Sequence, residues 1–439
     1  MKILLISPTI DTEKRTNKGL MMPQLALYIL KGLTPPGHDV RIIEEESEGI
    51  DLEQDCDLVG ISCMTANAPR AYELCQEFRK RGKTVILGGV HPTILPYEAL
   101  QHADSVVVGE AEGVWETLLE DFRNNSLKRK YHNPTPDLGK YVPKKFQQNK
   151  KKTPFSLVPI LTSRGCPYNC DFCCVTNLFG KKIRHIPIEN VVRDIQESGA
   201  KNFMFLDDNI IGNPKYAKAL FKALKPLKVK WVGQASVSLL VSDTELLQLA
   251  ADSGCKALFF GFESVSEEQL KSMRKTFKNL EQTENAIKKI KKMGIIIHAS
   301  IVFGFDSDTI ETFHETVRFL IKNKISTVSF NVLTPYPGTK IYDDLIKENR
   351  LITTDWRYYD HNTVVFKPKN MTPYELQVGK INARKQFYRM SSVLKRLSGN
   401  LYSPVIFFAV NYGNIRQVKV EAKRLTQLKS ELFTTTDDR

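Results

Sequence analysis

The stretch LTSRGCPYNCDFCCVTN, residues 161–177, contains four of the eight cysteines in this chain of 439 residues. Cys166, Cys170 and Cys173 have the spacing C-x3-C-x2-C, which places three thiolates on one short irregular loop. Thiolates are the ligands of iron–sulfur clusters, which usually take four, so a set of three leaves one iron open for catalysis. A zinc or structural site is the alternative, although such sites favour paired C-x2-C units or a well-spaced histidine.

Strand-like runs that alternate with amphipathic helical patterns begin just before this loop and continue after it. The cysteine loop directly follows the first run. The six runs lie at 157–163, 202–208, 230–236, 257–263, 295–304 and 328–333. This alternation predicts a partial (βα)6 TIM-type barrel of parallel strands, whose chemistry takes place at the carboxyl ends of the strands.

A first alternation of the same kind occupies residues 1 to about 120. Five apolar runs separated by helical patterns predict a doubly wound parallel sheet of the Rossmann type. Ligands of such sheets bind outside the carboxyl ends of the strands. The predicted ends carry small residues at Ser62, Gly88, Gly89 and Gly109, for which plain turns are the alternative interpretation.

Composition divides the chain further. Residues 126–155 lose the alternation and gain Pro, Asn and Lys, which is typical of a linker. We therefore expect an α/β protein with a first domain at 1–125, this linker, a barrel at 156–345 and a basic helical region at 346–439. The run KILLISP after Met1 lacks a signal-peptide cleavage site, so we expect a cytoplasmic protein in which clustered cysteines bind metal rather than form disulfides.

The cysteine motif, with Phe172 before its last cysteine, resembles the signature of the radical S-adenosylmethionine (SAM) enzymes. The resemblance implies a [4Fe–4S] cluster on Cys166, Cys170 and Cys173, with SAM chelating the fourth iron. It also implies reductive cleavage of SAM to a 5′-deoxyadenosyl radical, with an electron donor such as flavodoxin or ferredoxin. Cys174 is not a ligand in this pattern, and we expect it to be a small buried thiol.

Other strand ends resemble the SAM-binding segments of that family. Asp207 and Asp208, after the second strand, stand where many members of the family carry a glutamate motif. For the segment that ends the fourth strand at Glu263, a helix cap formed by Ser264 is the alternative role. For Gln234, the alternative role is that of a core polar group. The residues that the resemblance assigns to SAM are Phe172, Asp207 or Asp208, Gln234, Glu263, Gly304 and Pro335.

A parallel sheet that precedes such a barrel resembles the class with an N-terminal cobalamin-binding domain, which includes the hopanoid C-2 methylase and the anaerobic magnesium-protoporphyrin cyclase. The loop SPTIDTEKRTNKG at 7–19 lacks the histidine that serves as lower ligand in other cobalamin proteins. We expect cobalamin without that ligand, or else a domain that serves as a substrate-side lid. His91 is expected to bond to backbone. The residues assigned to cobalamin are Ser62, Thr65, Gly88, Gly89, Gly109 and Glu110.

The C-terminal region is strongly basic. Between Lys380 and Ser430 the chain has eleven Lys and Arg against one acid, Glu421. The pattern from Arg384 to Leu397 predicts one amphipathic helix with a basic face, which suits peripheral contact with an anionic inner membrane surface. A helix packed on the barrel is the alternative. A nucleic-acid partner is disfavoured because the region lacks interleaved exposed aromatic residues and glycines.

These patterns together predict a radical SAM enzyme. The resemblance favours cobalamin-dependent C-methylation of an unactivated carbon in a hydrophobic small molecule, such as a lipid or an isoprenoid. Cyclisation, oxidation or carbon–carbon coupling without methyl transfer is the alternative activity. A non-catalytic carrier of an iron–sulfur cluster or of cobalamin is a more distant alternative, because the acids at the strand ends would then have no role.

Overall fold

The computed structural model describes residues 1–10, 23–133, 135–139, 157–264 and 280–433. The chain divides into two compact units. The first comprises Met1–Asn169 and Cys174–Asp208, and the second comprises Cys170–Cys173 and Asn209–Arg439. The loop at 7–19 and the linker at 126–155 therefore fall largely outside the described residues.

The first unit begins with a parallel sheet of six strands in the order β2-β1-β3-β4-β5-β6. The predicted runs form the first five strands, and β6 adds an edge strand within the stretch predicted as linker. The strands are β1 (Lys2–Ser7), β2 (Asp39–Glu44), β3 (Leu58–Ser62), β4 (Thr84–Gly88), β5 (Ser105–Gly109) and β6 (Lys130–Asn133). Because these strands bury apolar residues on both faces, their sequences are continuously apolar rather than alternately apolar and polar.

Helices cover both faces of this sheet. Leu4 and Ile6 of β1 belong to the core that includes Phe78 of α2, whereas Ile3 and Leu5 belong to the core that includes Trp115 of α5. The helices are α1 (Leu25–Leu33), α2 (Ala68–Lys80), α3 (Val90–Ile94), α4 (Pro96–Ala99) and α5 (Trp115–Arg123). The predicted doubly wound α/β architecture is confirmed.

The remainder of the first unit begins the second series of strands. Strand β7 (Val158–Ile160) pairs in parallel with β10 (Asn202–Phe205). Between them, β8 (Ser163–Arg164) and β9 (Arg184–His185) form a short antiparallel ribbon. The helices are α6 (Val175–Phe179) and α7 (Ile188–Ser198).

The second unit continues the alternation with four parallel strands. Neighbouring pairs are β11–β12, β12–β13 and β13–β14. The strands are β11 (Lys230–Gln234), β12 (Cys255–Glu263), β13 (Ile296–Phe303) and β14 (Thr327–Val332). The helices are α8 (Pro214–Leu224), α9 (Val237–Ser242), α10 (Thr244–Asp252), α11 (Leu280–Lys292), α12 (Ile310–Lys322) and α13 (Lys340–Lys347). All six predicted runs are strands, as the predicted barrel region requires.

The C-terminal region forms α14 (Pro373–Phe387), α15 (Met390–Leu397) and α16 (Pro404–Leu428). The prediction of one helix over 384–397 is wrong, because the helix ends at Phe387 and another begins at Met390. The expected faces hold only in part: Phe387 and Val393 are buried and Arg389 and Lys395 are exposed as expected, whereas Arg396 is fully buried and Met390 and Leu394 are exposed. Among the described residues, none of the helices is long and apolar enough to span a bilayer.

The contacts of Arg396 explain why this basic side chain is buried. Its guanidinium lies 3.8 Å from the ring centre of Phe387 and donates to the carbonyl oxygens of Ile325 and Ser326 at 2.9 and 2.8 Å. It also donates to Oδ1 of Asn411 at 2.9 Å. Since five N–H donors in a planar fork can satisfy several carbonyl groups at once, Arg396 can be buried in α15 beside the apolar Val393.

Candidate functional site

The cysteine loop begins at a backbone position that only glycine can occupy. Gly165 has φ +95°, and a Cβ there would lie 2.6 Å from the carbonyl oxygen of Lys182. Cys166 follows it in the first unit and is buried. Cys170 and Cys173 belong to the second unit and are half-buried, with the Cys173 N–H donating to the Cys170 carbonyl at 3.0 Å.

The donor chemistry of this loop fits a thiolate-bound cluster, because Cys166, Cys170 and Cys173 form no disulfide bonds. Among the described residues, no three Cys, His, Asp or Glu side chains lie close enough together to hold a metal ion. The assignment of the three cysteines as cluster ligands stays a prediction.

Cys174 is half-buried rather than buried as predicted, and burial raises its pKa. A thiol in such surroundings stays protonated at neutral pH and is a poor metal ligand.

Phe172 contacts the segment that follows β13. Its ring packs edge-on against Phe305, with ring centres 5.9 Å apart. Phe305 follows Gly304, which has φ +109° and whose missing Cβ leaves space for Phe366. Oδ2 of Asp308 accepts the N–H groups of Gly304 and Phe305 at 2.7 and 3.0 Å. Phe172 thus contacts the residue that follows Gly304, another residue assigned to SAM, and the contact of both with SAM stays a prediction.

The two acids after β10 occupy different environments. Asp207 is fully buried and accepts hydrogen bonds from the Thr162 and Ser163 hydroxyls at 2.6 and 2.5 Å. It also accepts the Thr162 N–H at 3.1 Å, and burial raises its pKa. Asp207 therefore ties β10 to the segment after β7, whereas Asp208 is only half-buried.

Glu263 ends β12 in a backbone conformation that glycine usually occupies. Its φ is +57°, and the pairing with β13 shifts register between Gly261 and Glu263. A non-glycine residue in the left-handed region is uncommon and marks a functional or structural constraint. The bulge turns the carboxylate of Glu263 towards Gly261, where a Cβ would lie 2.3 Å from its Oε1.

Gln234 and Pro335 complete the predicted SAM set. Gln234 ends β11 with an exposed side chain, while its backbone carbonyl accepts the Ile210 N–H at 3.0 Å. Pro335 is buried in the loop after β14. The next residue, Tyr336, donates its hydroxyl to the Tyr359 carbonyl at 3.0 Å. The strand-end placement predicted for both residues is observed, and their contact with SAM stays a prediction.

A row of polar side chains on β13 and β14 was missed by the sequence analysis. The ring nitrogens of His298 lie 2.8 Å from the Thr327 hydroxyl and 2.9 Å from the Ser329 hydroxyl. Asn331 donates to Ser300 at 3.1 Å. Burial lowers the pKa of His298 to about 4, so the ring is neutral at pH 7. Polar residues at alternate positions of β14, and at His298 and Ser300 of β13, were the available signal.

The first unit contains a cavity of about 330 Å³ at the carboxyl ends of β1, β3, β4 and β5. Small residues line the cavity where two backbone segments approach each other closely. At Gly89, with φ +102°, a Cβ would lie 2.6 Å from the Cys63 carbonyl oxygen. Of the residues assigned to cobalamin, those lining the cavity are Ser62, Gly88, Gly89, Gly109 and Glu110. A cradle of glycines and hydroxyl groups at this edge fits a large flat ligand.

Thr65, which was assigned to cobalamin, and His91 do not line the cavity. Thr65 is buried in the short 3₁₀ turn Thr65–Asn67. His91 is fully buried in α3, and its Nε2 lies 3.1 Å from Oε1 of Glu98. The prediction of a loop histidine bonded to backbone is wrong in two respects: His91 lies in a helix, and the partner of Nε2 is a carboxylate.

Two protein-family models match the chain, one over each of its two series of strands. The Radical SAM superfamily model matches residues 160–320, and the B12 binding domain model matches residues 16–119. The chain is 34% identical over 420 residues to the bacteriochlorophyllide d C-12(1)-methyltransferase of Chlorobaculum tepidum, covering 91% of this chain and 90% of that protein. It is 34% identical over 400 residues to the C-8(2)-methyltransferase of the same organism, covering 87% and 88%.

A solved structure shares the fold. The radical SAM methyltransferase TsrM from Kitasatospora setae, with cobalamin and a [4Fe–4S] cluster bound, superimposes with a TM-score of 0.71. The match covers 96% of this chain and 99% of that chain at 15% sequence identity. The order of a parallel N-terminal sheet, a second series of βα units and a helical C-terminus is common to both.

Proposed function

Because the chain belongs to the cobalamin-dependent radical SAM methyltransferases, we propose that it methylates an unactivated carbon of a hydrophobic small molecule. The observation that carries the proposal is the 34% identity, extending over 91% of the chain, to a methyltransferase named for a carbon of bacteriochlorophyllide d. The cofactors of the family are a [4Fe–4S] cluster, SAM and cobalamin. When bound, they supply a radical that removes hydrogen from carbon and a methyl group that replaces it.

The roles of the chain's own residues follow from their positions. Cys166, Cys170 and Cys173 would hold the cluster. Of the two acids after β10, Asp208 is the better candidate for the amine of SAM, because the oxygens of Asp207 are already occupied by Thr162 and Ser163. The cavity at the edge of the first sheet would hold cobalamin.

The substrate is proposed to be a tetrapyrrole or a lipid-like molecule. The names of both bacteriochlorophyllide methyltransferases support a tetrapyrrole. An exposed apolar surface in the C-terminal region, described below, supports a substrate that resides in membranes. The two classes share a large apolar body, and the assay below separates them.

The test uses full-length protein purified without oxygen and reconstituted with iron, sulfide and hydroxocobalamin. Methyl-deuterated SAM and a reductant are added with either bacteriochlorophyllide or a lipid extract. We expect deuterated methyl groups in one of the two substrates, together with 5′-deoxyadenosine and S-adenosylhomocysteine. The matched control is Cys170→Ala, which should form none of the three products. Formation of deoxyadenosine by the wild type without label transfer to either would contradict the proposed methyl transfer.

We also propose that the C-terminal region contacts an anionic membrane surface. Its exposed apolar side chains define a C-terminal apolar patch. The patch consists of Met390, Leu394, Leu401, Val405, Ile406, Phe408 and Val410. The basic residues Arg389, Lys395 and Arg416 are exposed in the same stretch. Apolar side chains beside cations suit the boundary between headgroups and acyl chains of anionic lipids.

Flotation with vesicles tests this contact. We expect the wild type to float with phosphatidylglycerol vesicles at low salt and to lose most of this binding on neutral phosphatidylcholine vesicles. The double variant Val405→Asp/Phe408→Asp should stay unbound, while Val420→Asp, an exposed control further along α16, should float. Equal binding of all variants would contradict the proposal, and a concentration-dependent dimer lost in the double variant would indicate a second copy instead.

A further inference from the structure

Three charged side chains line one wall of the cavity in the first unit, and a fourth, Arg184, pairs with one of them. Glu110 and Glu112 follow β5 and are 4% and 5% exposed. Arg164 and Arg184 lie opposite each other in the β8–β9 ribbon. Of these residues Arg164, Glu110 and Glu112 line the cavity. Only Glu110 was assigned to cobalamin from the sequence.

The four side chains form one ion-pair network. Nη1 and Nη2 of Arg164 donate to different carboxylates, Glu110 and Glu112, the second at 2.6 Å. Arg184 donates to the other oxygen of Glu110 and to the Pro136 carbonyl at 3.0 Å. Burial alone lowers the pKa of Arg164, but the two carboxylates outweigh it and raise the pKa overall. The two positive and two negative charges balance, and removing one member would leave its partner buried and unpaired.

The network is joined directly to the cysteine motif. Arg164 precedes Gly165 and Cys166 in the chain. A Cβ at Gly165 would meet the carbonyl oxygens of Lys182 and Gly180 at 2.6 and 3.1 Å, so backbone segments touch there without an intervening side chain. Since packed backbone transmits small displacements rather than absorbing them, restraint of Arg164 also restrains Cys166.

We propose that Arg164 is a positioning residue that couples corrin binding in the cavity to the placement of Cys166. This inference rests on the proposed function, in which the cavity ligand is cobalamin. The neutral network offers both donors and acceptors, which suits a ligand whose periphery carries amide groups. A ligand that packs against this wall fixes Arg164, Arg164 fixes Cys166, and the thiol is then held ready for cluster assembly. Because such coupling is reciprocal, the assembled cluster raises the affinity for corrin by the same factor.

The experiment measures hydroxocobalamin affinity by equilibrium dialysis, once with cluster-free protein and once with protein reconstituted with iron and sulfide. The variants are Arg164→Gln and Glu112→Gln. The matched control is Arg79→Gln, which breaks the more exposed pair with Asp104 at 3.0 Å. We expect the reconstituted wild type and Arg79→Gln to bind about fivefold or more tightly than their cluster-free forms, a typical coupling factor. In both network variants this ratio should fall to about one.

Each outcome decides the inference. A network that only stabilises the fold would weaken both affinities and leave the ratio intact, which would overturn the coupling. A wild-type ratio near one would overturn it as well. If Arg164→Gln fails to fold, Glu112→Gln, which keeps the Arg164–Glu110 pair, gives the decisive ratio. A wild type that binds no hydroxocobalamin in either form would refute the proposed cobalamin-dependent function itself, and so is distinguishable from failure of the coupling alone.

Discussion

Two cysteines four positions apart, Cys170 and Cys174, are expected to respond oppositely to replacement. Cys170→Ala should remove one of three proposed cluster ligands, and with it the cluster absorption and all deoxyadenosine formation. Cys174→Ala should retain both, because the C-x3-C-x2-C pattern does not include Cys174 among the ligands. Absorption spectra and product analysis of both variants measure this. Deoxyadenosine formed by Cys170→Ala would refute the ligand assignment.

His298 gives the fold a sensitivity to mild acid. Its pKa is about 4 in the folded chain because of burial, whereas a histidine in the unfolded chain titrates near 6.5. Below about pH 6.5 the unfolded chain takes up a proton that the folded chain excludes. Stability is therefore lost as the pH falls through this window, by about 1.4 kcal/mol per pH unit at most. Above about pH 7 the residue contributes no pH dependence.

Urea unfolding at pH 7 and pH 5 tests this prediction, with His298→Gln as the comparison. The wild type should lose about 2 kcal/mol more between these pH values than the variant does. Subtraction removes the contribution of all other titrating groups, which the two proteins share. Equal losses in both proteins would show that His298 titrates normally.

At the scale of elements, the C-terminal helices are predicted to depend on one buried cation. Arg396→Ala leaves the carbonyl oxygens of Ile325 and Ser326 without their donor and should lower the free energy of unfolding by about 3 kcal/mol. Arg389→Ala, the matched control at the exposed start of α15, should change it by less than about 0.5 kcal/mol. Denaturant titration measures both. Similar losses of unfolding free energy in the two variants would indicate that Arg396 lies on a solvated face, as the sequence pattern predicts.

The elements that could be predicted from the sequence are those whose side chains satisfy a local pattern. Strands such as β3 and β13 are apolar or alternate strictly, so their positions follow from the chain alone. Strand β6, KYHN, has no apolar run and forms because β5 offers it an unpaired edge. The break after Phe387 depends on Tyr388, whose hydroxyl exchanges hydrogen bonds with the backbone of Val328, 60 positions away. No local pattern contains such a partner.

At the scale of the whole molecule, cobalamin is predicted to stabilise the fold. A ligand that binds only the folded state adds about 2.7 kcal/mol at a concentration 100 times its Kd. Hydroxocobalamin should therefore raise the midpoint of thermal unfolding in a concentration-dependent way. Arg79→Gln should show the same rise. Retention of corrin after desalting without any rise would indicate binding outside the folded cavity.

The candidate site could be predicted one strand end at a time, but not as a whole. Ser62 and Gly109 were identified because parallel strands deliver their carboxyl ends to one edge, and both line the cavity. Glu112 and Arg184, 72 positions apart in sequence, were not identified, because an ion-pair network has no period or spacing. Asp207 was named for SAM on its position alone, and only the hydrogen bonds from Thr162 and Ser163 show how its oxygens are used.

The left-handed backbone at Glu263 has a consequence for how this position tolerates sequence change. Glycine would adopt φ +57° without steric cost, and asparagine at little cost, so either residue would lower the conformational energy of the backbone at the end of β12. Selection for stability alone would favour those residues. A role of this carboxylate in binding SAM, as predicted from the sequence, would explain why neither residue stands here. Stabilising substitutions sought by screening for heat resistance should therefore accumulate at Glu263 at the expense of turnover.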